Sequence, residues 1–295
     1  MKVEADCAPC LLRRVLFQAR LAGNGTEFSA MSAALKAYAA GFSPDACSAE
    51  LATEAHSAAY AAMGVADPYR AMKEEADRTA ARYVPAAADF IDSSDDRFAA
   101  AVRVSIIGNI MDFGSGIAID SPDRFGGMFQ SLLDQGVGSD QTPELEKAVK
   151  ASGTVLYAFD NCGEDEFDRL LIREMRSDGK RVVGIVRGAP ILNDVTREDA
   201  LRIGLDRDMD GILDTGGFCI GFSEKLMPPE LREEMASAGV MIAKGMANYE
   251  SLSEMDLPLP VAHLLRAKCI PVASSLDVPV GINVVRMAHL RAPHL

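Results

Sequence analysis

The stretch Thr154-Val155-Leu156-Tyr157-Ala158-Phe159-Asp160-Asn161-Cys162-Gly163-Glu164 decides the reading of this chain. The apolar run 154–158 follows Gly153 and reads as a buried strand. Glu164-Asp165-Glu166-Phe167-Asp168, then Leu170-Leu171-Ile172, reads as the acidic first turns of an amphipathic helix. Asp160 and Asn161 therefore emerge at the carboxyl end of a strand, where open α/β sheets build their ligand sites. A carboxylate beside an amide offers hard oxygen donors of the kind Mg²⁺ or Mn²⁺ accepts. The same pair also suits a helix N-cap.

Outward from this stretch, strand and helix signals alternate. Strands are expected at 154–159, 181–186, 211–214, 239–243, 269–273 and 281–286. Helices are expected between them at 164–177, 197–203, 228–237 and 246–253. This alternation predicts an α/β fold, with parallel βαβ units and helices on both faces. The first hundred residues differ. They are rich in Ala, and Leu11, Leu12, Val15, Leu16 and Ala19 recur at helical intervals. Further helices are expected at 29–40, 48–63 and 67–83, punctuated by Gly41, Pro44 and Gly64. The chain thus divides into a helical subdomain over 1–100 and an α/β metal-binding catalytic domain over 101–295. Within the latter, 101–152 is a connecting region that contributes to the site, and its Gly-, Ser- and Asp-rich part reads as loops and short helices.

Composition narrows the function. The 295 residues are 48% hydrophobic and 25% charged, which supports a real core. A formal net charge of -13 argues against a nucleic-acid partner, which needs clustered Lys and Arg. No apolar run approaches the roughly 20 residues that span a bilayer, so no membrane partner is expected. Met1-Lys2-Val3-Glu4-Ala5-Asp6 lacks the pattern of a signal peptide, and the expected location is the cytoplasm. Six scattered cysteines read as reduced thiols or ligands rather than a disulfide framework. Cys7-Ala8-Pro9-Cys10 has the spacing of half a zinc site or a redox pair, and buried structural thiols fit it as well. A full site would need a distant partner such as Cys269.

Four successive strand ends carry polar or glycine signals. They are Asp160-Asn161; Arg187-Gly188 with Asn193-Asp194; Thr215-Gly216-Gly217; and Lys244-Gly245 with Asn248. In a parallel sheet these ends share one edge. Upstream, Gly108-Asn109-Ile110-Met111-Asp112 either wraps a ligand or caps a helix. Asn193-Asp194 equally reads as the cap of the helix carrying Thr196 and Asp199. Such an edge is poised to hold a metal and an anion, and the chemistry fits phosphoryl hydrolysis. A divalent ion polarises a phosphate oxygen, while a Lys supplies a point charge.

In order along the chain, these motifs resemble the metal-dependent damage-control phosphatases, once catalogued as domain of unknown function 89. The resemblance covers most of the chain. It runs through the Cys7–Arg13 motif, Gly-Asn-x-x-Asp-Phe-Gly from 108, Asp-Asn-x-Gly-Glu from 160, and Arg-Gly-x-Pro-Ile-x-Asn-Asp-x-Thr-x-x-Asp-Ala from 187. It continues with Lys-Gly-x-x-Asn-x-Glu from 244 and Lys-Cys-x-Pro-Val-Ala from 268. The CxxC places it beside a prokaryotic and archaeal subgroup. The resemblance implies a three-layer α/β/α sandwich with a mainly parallel sheet and an N-terminal helical region. It implies Mn²⁺, Ni²⁺, Co²⁺ or Mg²⁺ held by Asp160, Asn161 and Asp194, with Lys244 joining them in catalysis. Asn109, Asp112, Glu164, Arg187, Thr215, Gly216 and Asn248 are then expected around a small phosphorylated metabolite, such as a sugar phosphate. The attacking group is either a water or Asp160 itself.

Other readings differ at identifiable points. An S-adenosylmethionine-dependent carboxyl methyltransferase would want a glycine-rich first βα turn, which 159–164 lacks. A non-catalytic phosphometabolite-binding protein would use the same pocket without turnover. A haloacid-dehalogenase-type phosphatase would place a second Asp where Cys162 stands.

Overall fold

The computed structural model describes residues 1–109 and 128–288. Asp112 and the rest of the motif at 110–114 lie outside the described residues. The chain opens with six helices: α1 (Cys7–Ala22), α2 (Glu27–Gly41), α3 (Ser48–Met63), α4 (Arg70–Ala81), α5 (Val84–Asp92) and α6 (Arg97–Gly108). Then come α7 (Phe129–Gln135), β1 (Ser139–Asp140), α8 (Thr142–Ala151), β2 (Thr154–Ala158), α9 (Asp165–Ser177) and β3 (Arg181–Val186). The rest is α10 (Arg197–Arg202), β4 (Gly211–Asp214), α11 (Pro229–Ser237), β5 (Val240–Lys244), α12 (Gly245–Leu252), β6 (Val261–Arg266), α13 (Ile270–Leu276) and β7 (Asn283–Ala288).

The seven strands form one sheet in the order β1-β7-β6-β5-β2-β3-β4. Among the described residues only the β6–β7 pairing is antiparallel, so the sheet is mainly parallel, as expected. Side chains alternate between faces along a strand. Val155 and Tyr157 of β2 join a core with α6 and α9, while Leu156 and Ala158 join one with α11 and Leu252 of α12. Both faces are therefore covered, which is why the strands read as continuous apolar runs. Phe167, Leu171, Ile172 and Met175 of α9 are fully buried on the first face, each worth about 1.5–3 kcal/mol.

Helices α1–α3 carry a core of their own, built on Val15, Ala19, Ala34, Leu51 and Ala55. Helices α4–α6 share the core that covers the sheet. Alanine makes this close packing possible, since Ala76, Ala80, Ala87 and Ala101 have no exposed surface.

One expected strand is a helix. Residues 269–273 open α13, with Cys269 extended as its N-cap and Pro271 in its first turn, where proline lacks no needed N–H. The strand of this region is β6, whose His263 and Arg266 interrupt the apolar pattern that would have marked it. β6 runs parallel to β5, so its carboxyl end reaches the same sheet edge as β2 and β3.

Between α1 and α3 lies a buried polar pair. The Gln18 amide donates to Nδ1 of His56 at 2.9 Å, which leaves the ring proton on Nε2. Burial, with Arg14 nearby, pushes the His56 imidazole down to about 3 from 6.5. Below pH 6.5 the unfolded chain therefore takes up a proton that the native state refuses. The stabilisation is complete above that pH and is lost as pH falls toward 3. Denaturant titrations between pH 6.5 and 4 should show a slope contribution approaching about 1.4 kcal/mol per unit, absent in His56→Gln.

Candidate active site at the sheet edge

The site sits where parallel β2 is flanked by β3 on one side and β5 on the other, so that the order of strand addition switches sides at β2. Such a switch point opens a crevice beyond the strand ends. The loops after β2 and β3 are zipped together by their backbones. Val195 N donates to Asp160 O at 2.8 Å and Cys162 N to Asn193 O at 2.9 Å, with Asn161 bridged to Asp194. This pairing brings Asp160, Asn161 and Asp194 onto the wall of one cavity of about 440 Å³.

Asp194 is not the cap of α10, although its position allowed that role. The cap of α10 is Thr196, which forms a reciprocal capping box with Asp199. Leu192, two residues before Asp194, adopts a left-handed conformation at φ 49°. A non-glycine residue there stores on the order of 1–3 kcal/mol of strain, which the surroundings must hold. Part of that hold is Tyr60 of α3, whose hydroxyl accepts from Leu192 N at 3.0 Å.

The remaining expected residues form the support around this trio. Asn109 donates through Nδ2 to Asp160 Oδ2 at 3.1 Å and to Glu164 Oε2 at 2.9 Å. Asn161 donates through its own Nδ2 to the same two atoms at 2.7 and 3.1 Å. Its amide oxygen is thereby left for the cavity. Arg187 donates from Nε to Asp194 Oδ2 at 2.6 Å, and its NH2 faces Asp160 Oδ1 at 3.6 Å. Asn248 accepts from Arg187 NH1 at 2.8 Å and donates to Phe159 O at 3.0 Å. Glu164, Arg187, Asn109 and Asn248 are buried and do not line the cavity; they aim the residues that do.

Lys244 departs most from expectation. It is fully buried, and all three of its N–H groups are used. They go to Glu164 Oε1 at 2.5 Å, Asp168 Oδ1 at 2.6 Å and the Ser105 carbonyl at 3.0 Å. Lys244 therefore does not meet a phosphate in the cavity; it ties β5 to α6 and α9. Thr215 and Gly216 also lie off the cavity wall. Thr215 Oγ1 accepts from Gly188 N at 3.1 Å, and a side chain at Gly216 would collide with Leu226 O.

A lysine that does stand on the wall is Lys268, which follows the end of β6. It was missed because β6 was not recognised, and a strand at 261–266 would have put it at the sheet edge. Arg13, Arg14 and Glu250 also line the cavity, with the thiols of Cys7, Cys10 and Cys269.

Burial pushes the Asp160 carboxyl well above the usual carboxylate range, and the nearby Asp194 and Glu164 push it further. Arg187 and Lys268 oppose this. A crowded set of buried acids is relieved by a bound cation. The donors fit a hard divalent ion, because two carboxylates and an amide on one wall are oxygen ligands of the right kind.

Gly245 sets how closely β5 approaches the site. It has φ +72°, and a Cβ there would stand 1.8 Å from Asp160 Oδ2. Gly245→Ala should displace Asp160. We expect kcat/KM to fall at least tenfold and metal affinity to weaken in calorimetry, since misplacement of about 1 Å can cost 10²-fold.

Comparison with known proteins agrees with the fold. Residues 3–284 match the damage-control phosphatase ARMT1-like domain. A damage-control phosphatase of Archaeoglobus fulgidus is 36% identical over 289 residues, covering 97% of this chain and 99% of that protein. A damage-control phosphatase of Pyrococcus horikoshii is 32% identical over 288 residues, covering 96% and 97%. The crystal structure of a duf89 family protein from P. horikoshii superposes with a TM-score of 0.85 at 31% identity, over 97% of this chain and 98% of that one. With the family's domain spanning nearly its whole length, the chain belongs to the damage-control phosphatases.

Proposed function

We propose that this protein is a metal-dependent phosphomonoesterase of small phosphorylated metabolites, sugar phosphates among them. The observation that carries this reading is the meeting of Asp160, Asn161 and Asp194 with Lys268 around one cavity. Asp160, Asn161 and Asp194 are the residues that would hold the ion, one of Mn²⁺, Ni²⁺, Co²⁺ or Mg²⁺. When bound, the ion offsets phosphate charge and polarises the ester. Lys268 supplies a point charge for the phosphoryl group. Arg187 orients Asp194, and Asn109 with Glu164 orients Asp160 and Asn161, so little reorganisation is needed as charge develops. About 440 Å³ suits a small metabolite rather than a polymer. Among the described residues, no helix is long and apolar enough to cross a membrane.

The test is a panel of phosphate esters assayed after EDTA treatment and again after add-back of each ion. Turnover should vanish with chelation and return with at least one of the four. A folded protein inactive with every ion and every ester would remove the proposal.

A further inference from the structure

Beneath the turn that carries Asp160 and Asn161 lies a second group of donors. Cys162 of that same turn and Asp165, the first residue of α9, meet Asp77 of α4, and a ligand atom of each lies within 4.8 Å of the others. Cys162 and Asp165 have no exposed surface, and Asp77 has 3%. Gly163 N donates to Asp77 Oδ1 at 2.6 Å and to Asp165 Oδ1 at 2.8 Å. Arg202 donates to Asp77 Oδ2 at 2.6 Å. Asp165 Oδ2 is buried without a hydrogen-bond partner. A carboxylate oxygen in that position needs a proton or a cation.

The surrounding charge points to a cation. Lys73 pairs with Asp67 and Asp199, and Arg202 pairs with Asp77 and Asp199. With Asp165, four carboxylates face two cations, which leaves the charge of one divalent ion unbalanced. Neither Lys73 nor Arg202 donates to Asp165; burial and the carboxylates of Asp77, Glu166, Asp168 and Asp199 all act against its charge.

We infer that Asp77, Cys162 and Asp165 form a structural site for a borderline divalent ion such as Zn²⁺, separate from the oxygen-donor site on the cavity. One sulfur and two carboxylate donors favour Zn²⁺ or Co²⁺ over Mg²⁺. Binding converts the Cys162 thiol to a thiolate on the ion and releases its proton to solvent. The ion would fasten α4 to the turn before α9 and so hold Asp160 and Asn161 from below. The site does not depend on the phosphatase reading, because it shares no ligand with it.

Cobalt separates the two sites, since only a thiolate ligand gives the near-ultraviolet sulfur-to-cobalt absorption. The full chain carrying C7S, C10S and C269S is stripped with chelator and titrated with Co²⁺. One equivalent should produce the band, and Zn²⁺ should displace it and raise Tm. C162S should lose both effects, while D160A should keep the band. Absence of the band, or its survival in C162S, overturns the inference. If C162S does not fold, Asp165→Asn decides. A metal site predicts loss of the band and of the Zn²⁺-dependent rise in Tm. A proton shared by Asp77 and Asp165 predicts instead that the parent chain gives no band and that Asp165→Asn is at least as stable in chelator. That result also overturns the inference.

Discussion

Asp160→Ala is expected to lower phosphatase turnover by at least about 10³-fold and to abolish metal uptake at the cavity. Loss of a single well-placed electrostatic contact costs roughly 10²–10³ in rate. Asp160 does more than one such job, because it is a proposed ligand and also the acceptor for Asn109 and Asn161. The same substitution should leave the fold intact. Asp160 is buried among Asp194 and Glu164, and burial with these neighbours pushes its carboxyl well up. Removing it relieves repulsion in the metal-free protein, so Tm in chelator should stay level or rise. Such a trade of stability for function is common at active sites. Metal analysis by mass spectrometry and thermal melts in chelator check the two halves. Retained turnover in a well-folded variant would exclude Asp160 from the machinery.

Lys244→Met is expected to act in the opposite way, mainly on stability. Lys244 is the cation between Glu164 and Asp168, and neither partner has exposed surface. Breaking a buried pair from one side leaves uncompensated charge and typically costs 3–5 kcal/mol. The cost should depend on pH. Even with Lys244 present, burial raises the Asp168 carboxyl to about 6, against the attraction of the lysine. Without Lys244 the Asp168 carboxyl loses that attraction and holds its proton to still higher pH in the native state than in the unfolded chain. The variant's deficit should therefore be smallest near pH 5, where Asp168 is mostly protonated, and grow as pH rises toward 8. Urea unfolding at these two pH values measures it. A variant with wild-type stability and a raised KM would mean that Lys244 contacts substrate after all.

Much of the sheet was legible because its strands are buried on both sides. Residues 154–158, 181–186, 211–214 and 240–244 are short apolar runs with a polar residue or a glycine at the far end, and all four are strands. β6 was not legible. Val261-Ala262-His263-Leu264-Leu265-Arg266 carries two polar residues, and the apolar stretch starting at Ile270 competed with it. Local pattern cannot tell a short apolar helix from a short strand, and Pro271 was the sign that favoured the helix. That single error hid the place of Lys268 at the sheet edge.

The face to which Lys244 points follows from strand alternation. Lys244 shares parity with Val240 and Ile242, which pack in the core with α6 and α9. It had to meet Ser105 and Asp168 rather than the cavity. Its partner Asp168, however, comes from another element, and no spacing within the chain announces that contact.

The amino-acid sequence by itself determined the α/β alternation, the order of the strand-end motifs and the three residues proposed as oxygen donors, because these depend on residue type and local period. The tertiary structure decided which lysine faces the cavity, which polar residues merely aim others, and that α1 closes one wall with Arg13 and Arg14. Those outcomes depend on which way a side chain turns once distant elements pack, and packing is set by the whole chain at once.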